Sequence, residues 1–282
     1  MADIAIVTDS TAYIPQELVD QYQIHVAPQI LIWGEDSFLD GVDMFPDEFY
    51  EKLKKSDQLP TTSQATVASF HKIYEPLVAQ GKQILTIVIS EKLSGTLQSA
   101  RQAKAMFPDA TIALVDSRSA SMELGFQVLA AARAAEAGKP FQEVVDLAER
   151  SKQYTGVFFV VDTLEFLHKG GRIGGAARLF GTAINLKPIL QVHDGQVESF
   201  EKIRTKAKAY ARLLDVLDER LSGKPNLRIA TLHAAAEGDA KHLLEEAAKR
   251  LSPIETIVSQ VSPVVGTHVG PGTVGLAYST DL

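Results

Sequence analysis

The sequence predicts an α/β protein of two units: a parallel-sheet N-terminal domain over residues 1–153 and a mixed-sheet α/β C-terminal domain over 154–282. Three observations lead there. Apolar runs at Ile4–Val7, Ile84–Ile89 and Ile112–Val115 each end in a polar loop and precede a helix-like stretch. That alternation builds a parallel sheet with its ligand crevice at the carboxyl ends of the strands. The second half instead carries a hairpin, Pro188–His193 and Gln196–Ile203 joined by Asp194-Gly195, a dipeptide suited to a two-residue turn. Between the halves, Gly156–Val161 (GVFFVV) restarts the strand pattern after two helices, which puts the boundary near Tyr154.

In chain order, Ile4–Val7 runs into Thr8-Asp9-Ser10-Thr11, and Pro15–Tyr22 reads as a short helix. Ile24–Trp33 is extended with a break at Pro28, and Asp40–Asp43 is a turn. Pro46–Lys54 opens with proline and acids, as helix starts prefer. Pro60–Gln64 is a hydroxyl-rich loop before a helix of Thr66–Gln80, which Gly81 stops. The run at Ile84–Ile89 is apolar on both faces, the pattern of a fully buried strand, and Leu97–Phe107 follows as a helix. Met122–Ala137 is an alanine-rich helix ended by Gly138, and Phe141–Lys152 is another. In the second half a helical Leu164–His168 leads to Lys169–Gly175, the most glycine-dense piece of the chain. After the hairpin come a helix at Lys206–Arg220, a strand at Leu227–Leu232 and a helix at Gly238–Leu251. A strand at Ile254–Val261, a glycine–proline loop at Gly266–Gly272 and a last strand near Val274–Ser279 complete the pattern.

Composition narrows the functions. Apolar residues make up 45% and charged residues 22%, enough for a substantial core. A net charge of −7 argues against a surface for nucleic acid or anionic membrane. There is no cysteine, which excludes disulfides, thiolate metal sites and thiol nucleophiles. No signal peptide and no apolar stretch of about 18 residues is seen, so a cytoplasmic location is expected.

Ser90–Thr96 links the central strand to a helix, and such a turn leaves backbone N–H groups free at the positive end of the helix dipole. Ser94 and Thr96 add hydroxyls, and Gly95 lets a ligand approach the backbone. The stretch suits a carboxylate or phosphate, or simply a helix cap. The Thr61-Thr62-Ser63-Gln64 stretch holds more hydroxyls than a cap needs, though a capping box would also explain it. Lys169–Gly175 is neither a P-loop nor a dinucleotide fingerprint; it is a flexible connector or a backbone-lined approach to a ligand, with Arg172 as its charge. None of the seven histidines has metal-site spacing, and His268 differs from the rest in standing among glycines and proline. Ser94 lies in KLSGT, without the first glycine of a nucleophile elbow. A Ser94/His268-dependent acyl-ester hydrolase, with Asp9 as third member, and a phosphate- or nucleotide-binding sensor are readings that these residues leave open.

As a set, VTDST (Val7–Thr11), TTSQ (Thr61–Gln64), LSGTLQSA (Leu93–Ala100), Asp116-Ser117, KGGRI (Lys169–Ile173) and HVGPG (His268–Gly272) resemble the DegV family of bacterial fatty-acid-binding proteins. The resemblance implies two α/β domains with a long-chain fatty acid in a tunnel between them. It implies no cofactor, no metal and no catalytic residue of the chain's own. Some members are similar to carrier subunits that present the fatty acid to a separate ATP-dependent kinase, which makes an acyl phosphate. By the same resemblance Thr62 and Ser94 hold the carboxylate, with Ser63, Gly95 and His268 near it. Arg172 and Arg204 serve phosphate transfer at the head-group end, and membrane contact is at most transient. Two departures stand out: Ala65 follows TSQ where the family usually has proline, and Gly266-Thr267 replaces a segment that commonly carries serine.

Overall fold

The computed structural model describes residues 4–181 and 186–280. In the first half β1 (Ile4–Asp9), β2 (His25–Ala27), β6 (Gln83–Val88) and β7 (Ile112–Asp116) form a parallel sheet in the order β2-β1-β6-β7. The central position of β6 explains its unbroken apolar run, since Ile84, Leu85, Ile87 and Val88 are all fully buried. In the second half β8 (Thr155–Val160), β9 (Ile189–His193), β10 (Gln196–Glu201), β11 (Arg228–His233), β12 (Glu255–Gln260) and β13 (Val274–Ser279) make a mixed sheet ordered β10-β9-β8-β13-β11-β12. Among the described residues only β11 and β12 pair in parallel there.

A third sheet went unforeseen. β3 (Ile30–Trp33) pairs antiparallel with β4 (Asp36–Leu39) and with β5 (Thr61–Ser63). The signal for β4 was the two-residue turn Gly34-Glu35, whose glycine has φ +67°. DSFL carries too little apolar pattern to read as a strand alone, and pairing with β3 decides it. β5 turns the expected hydroxyl loop into a strand, with Thr62 opposite Leu31.

The helices are α1 (Gln16–Gln21), α2 (Pro46–Lys55), α3 (Val67–Ala79), α4 (Thr96–Ala105), α5 (Ser121–Glu136), α6 (Phe141–Ser151), α7 (Glu165–Lys169), α8 (Lys206–Leu221), α9 (Glu237–Leu251) and α10 (Pro263–Val269). Short 3-10 turns cover Ser10–Ala12 and Gly174–Leu179. α5 is buried on every side from Ser121 to Ala132, because it packs on the strands of both large sheets. An alanine-rich helix suits that place, since small side chains let two sheets approach one axis.

Polar links also join the halves. Asp40, 2% exposed, accepts from Ser10 Oγ at 2.6 Å, Ser262 Oγ at 2.8 Å and the Val264 amide at 3.3 Å. It thereby ties the first half to the start of α10. Arg133 on α5 donates twice to Glu255 on β12, at 2.7 and 2.9 Å, and Ser90 Oγ donates to the Gly195 carbonyl at 2.7 Å. Among the described residues no helix is long and apolar enough to cross a membrane.

Candidate functional site

Between the carboxyl ends of the first sheet's strands and one face of the second sheet lies a cavity. It encloses about 810 Å³ of empty space, open mouth included. Its walls are apolar from both halves, among them Ile89 and Leu93 from the first and Phe159, Leu232, Val264 and Val269 from the second. Thr62, Ser63, Gln64, Ser94, Arg172 and His268 bring polar groups to the same cavity.

Three local structures place them. β5 holds Thr62 and Ser63 by pairing with β3, while the cap of α3 is Thr66, whose side chain accepts from the Ser69 amide at 3.0 Å. The hydroxyls of TTSQ are therefore not spent on capping, and Ala65 beside them is fully buried. Ser94 precedes the N-cap of α4, which is Gly95, and that cap has no side-chain hydrogen bond. Ser94 Oγ pairs with Thr96 Oγ1 at 2.9 Å and receives only a long 3.4 Å bond from the Thr96 amide. His268 lies in the last turn of α10 rather than in a loop. Gly266, Gly270, Pro271 and Gly272 had argued for a loop, but Gly270 follows the helix end and Pro271 lies beyond it. Gly266 is required by packing, since a side chain there would overlap the Tyr50 ring and hydroxyl.

His268 Nε2 is 2.8 Å from Thr62 Oγ1. Its Nδ1 is buried against Gly170 without a hydrogen-bond partner, and a side chain at Gly170 would overlap it. Burial first, and the Arg172 guanidinium second, bring the imidazole down to about 4, so it is neutral at ordinary pH. A buried N–H without an acceptor is rarer than an unused lone pair. The proton accordingly belongs on Nε2, which donates to Thr62 Oγ1 and leaves the threonine hydroxyl free to donate into the cavity. Arg172 donates from Nε to the Leu93 carbonyl at 3.1 Å and from one terminal nitrogen to Gly170 at 2.8 Å. That pins the guanidinium beside Ser94.

Not every expected residue joins them. Gly95 is outside the cavity lining, covered by the Gln64 side chain. Arg204 is exposed just before α8 and does not line the cavity. Asp9 is fully buried, accepting from Thr11, Gln29 and the Ile89 amide, and it braces the ends of β1 and β6. Its hydrogen bonds go to Thr11, Gln29 and Ile89 while His268 pairs with Thr62, which removes it as a third triad member. Among the described residues no carboxylate bonds His268, and no cluster of three acidic or histidine groups is arranged to hold a metal ion. Tyr13 and Gln29 also line the cavity and carried no sequence signal for it.

The family model of DegV, described as "Uncharacterised protein, DegV family", matches residues 3–281. The DegV domain-containing protein CPE0304 of Clostridium perfringens is 36% identical over 282 residues, covering 99% of each chain. Among solved structures, a DegV family protein from Thermus thermophilus, described by its fatty acid binding, superposes with a TM-score of 0.93 at 34% identity over 99% of each chain. DegV of Bacillus subtilis, described as a fatty acid binding protein, gives 0.91 at 34% identity over 100% of each.

Proposed function

The chain belongs to the DegV family, and from that premise and the cavity we propose that it binds a long-chain fatty acid and presents its carboxylate to a separate ATP-dependent kinase. The observation that carries the reading is an apolar cavity between the halves (1–153 and 154–282) with hydroxyls, one arginine and a neutral histidine gathered on it. Thr62 and Ser94 hold the carboxylate by hydroxyl hydrogen bonds, with Ser63 and His268 around them. Arg172 and Arg204 act on the phosphoryl group that the kinase delivers.

The energetics favour this division. A dozen buried methylenes contribute on the order of 10 kcal/mol at ~0.8 kcal/mol each, while charge-assisted head-group bonds contribute ~1.5–3 kcal/mol each. The walls set affinity, and the polar residues set orientation. An esterase would need Ser94 bonded to a base, but Ser94 pairs with Thr96 and His268 with Thr62. A nucleotide site would need polar walls.

Native mass spectrometry, followed by organic extraction of the purified protein, tests the reading. A near-stoichiometric fatty acid is expected. A nucleotide in its place, or no lipid under conditions that preserve lipid complexes, would overturn it, as would ester hydrolysis that vanishes in both Ser94→Ala and His268→Ala.

A further inference from the structure

The second sheet has a slit. β8 and β9 pair at Val160–Ile189, Phe159–Leu190 and Phe158–Gln191, and there their ladder stops. Both strands continue: β8 stays paired to β13 down to Thr155–Ser279, and β9 stays paired to β10 through Val192–Val197 and His193–Gln196. The next rung between them would join Val157 and Val192, but the two are not paired. The two residues at that missing rung line two cavities at once. One is the apolar cavity described above; the other is a separate open cleft of about 830 Å³, mouth included. That cleft is polar, with Arg118, Glu123, Lys152, Gln191, Arg220 and Tyr278 on its walls.

Along β8 the slit lies back from the end of the sheet that leads into α10 and His268. The rung through Val160, Val274, His233 and Gln260 marks the end of the sheet from which α10 departs, carrying His268. Val157 is three residues back along β8, about 10 Å at the usual rise per strand residue. Val157 is 3% exposed, and Val192 is half-buried.

We propose that Val157 and Val192 are the end stop of the lipid tunnel and fix the longest acyl chain that it buries whole. The inference rests on the fatty-acid reading above. A chain that ends before the two valines keeps all its methylenes away from water. A longer one has to part them and push its methyl end into the polar cleft, where added carbons gain no burial.

The test is an affinity series of saturated acids from dodecanoic to docosanoic, measured on wild type, Val157→Ala/Val192→Ala and Val192→Phe. Wild type should show an optimum beyond which affinity stops rising. The double alanine variant should move that optimum longer by about two carbons, since each substitution vacates two methyl groups. Val192→Phe should move it shorter. If the double variant does not fold, Val192→Ala alone, at the half-buried position, should still lengthen the optimum. Folded variants with the wild-type optimum would overturn the end stop and leave the lipid reading standing. A wild type that binds no acid of any length would remove both.

Discussion

Glu123 offers the sharpest test of the buried electrostatics. It sits in the first turn of α5, 7% exposed, with Ser119 Oγ donating to its carboxyl. The helix dipole and that hydrogen bond favour the charged form, but burial wins and raises the group from 4.5 to about 8. At about 1.4 kcal/mol per unit, the shift corresponds to a ceiling of about 5 kcal/mol. Because the pKa is raised, the folded state keeps a proton that the unfolded chain has released between pH 4.5 and about 8. Stability should therefore fall as pH rises through that window, with the full loss above it. Glu123→Gln keeps the shape and an acceptor for Ser119 but has no proton to lose. The variant should match wild type near pH 4.5 and exceed it above about pH 8. Relaxation around the charge trims the ceiling, so a gain of about 2–5 kcal/mol is expected, or several degrees in Tm. Thermal and urea unfolding of both proteins across this range provide the assay, and the difference cancels every other titrating group. Parallel curves for the two proteins would refute the reasoning.

Three further outcomes follow from the same structure. Ser94→Ala should weaken fatty-acid binding by ~1.5–3 kcal/mol, roughly ten- to a hundred-fold, while the tail contacts keep some lipid bound; unchanged affinity in a displacement assay would take Ser94 out of the head-group site. Arg172→Ala and Arg204→Ala should keep most lipid binding and lose acyl-phosphate formation with a cognate kinase, because an arginine beside a transferring phosphoryl group stabilises its charge; a folded variant without lipid would contradict that role. Asp40 is raised from 3.8 to about 6 by burial, so its contribution to stability falls as pH rises between those values. Asp40→Asn should flatten that part of the unfolding curve, since Ser10 and Ser262 can turn their hydroxyls to accept from the new amide; a slope unchanged between wild type and variant would count against it.

What the sequence revealed depended on whether an element carried its own pattern. β6 was legible because a strand buried on both faces must be apolar throughout, and the β9–β10 hairpin because Asp194-Gly195 fits a two-residue turn. β4 and β5 were not, since their strand character comes from pairing with β3. α10 was misread as loop because its glycines answer to tertiary packing: Gly266 makes room for Tyr50, and Gly270 ends the helix. Of the polar residues, Thr62, Ser63, Ser94, Arg172 and His268 come together on one cavity, while Arg204 stays exposed outside it. Clustered hydroxyls at strand ends are visible in one dimension. Asp40, which fastens α10 across 222 residues to Ser262, is not, because nothing local to Leu39–Gly41 says what it will meet.

In the carrier role proposed above, the division of labour between walls and head group lets one site bind tightly and still release a chemically altered end. Most of the binding free energy scales with buried methylenes, which do not change when a carboxylate becomes an acyl phosphate. The head-group contacts are few and individually weak, so exchanging them costs little. A neutral His268 fits that arrangement better than a charged one. An imidazolium at Thr62 would form a strong ion pair with the carboxylate and resist its transfer, whereas burial and Arg172 together keep the ring uncharged. In the role proposed above it donates to Thr62 Oγ1, so that the threonine hydroxyl can point its own proton at the carboxylate. Gly170 makes this possible by giving the unused Nδ1 a flat backbone to rest against. The same segment supplies Arg172, anchored on the Leu93 carbonyl one residue before Ser94. One glycine-rich turn thus sets the protonation of the histidine and the position of the cation together, and that is a physical reason for KGGRI to accompany LSGT and HVGPG in one chain.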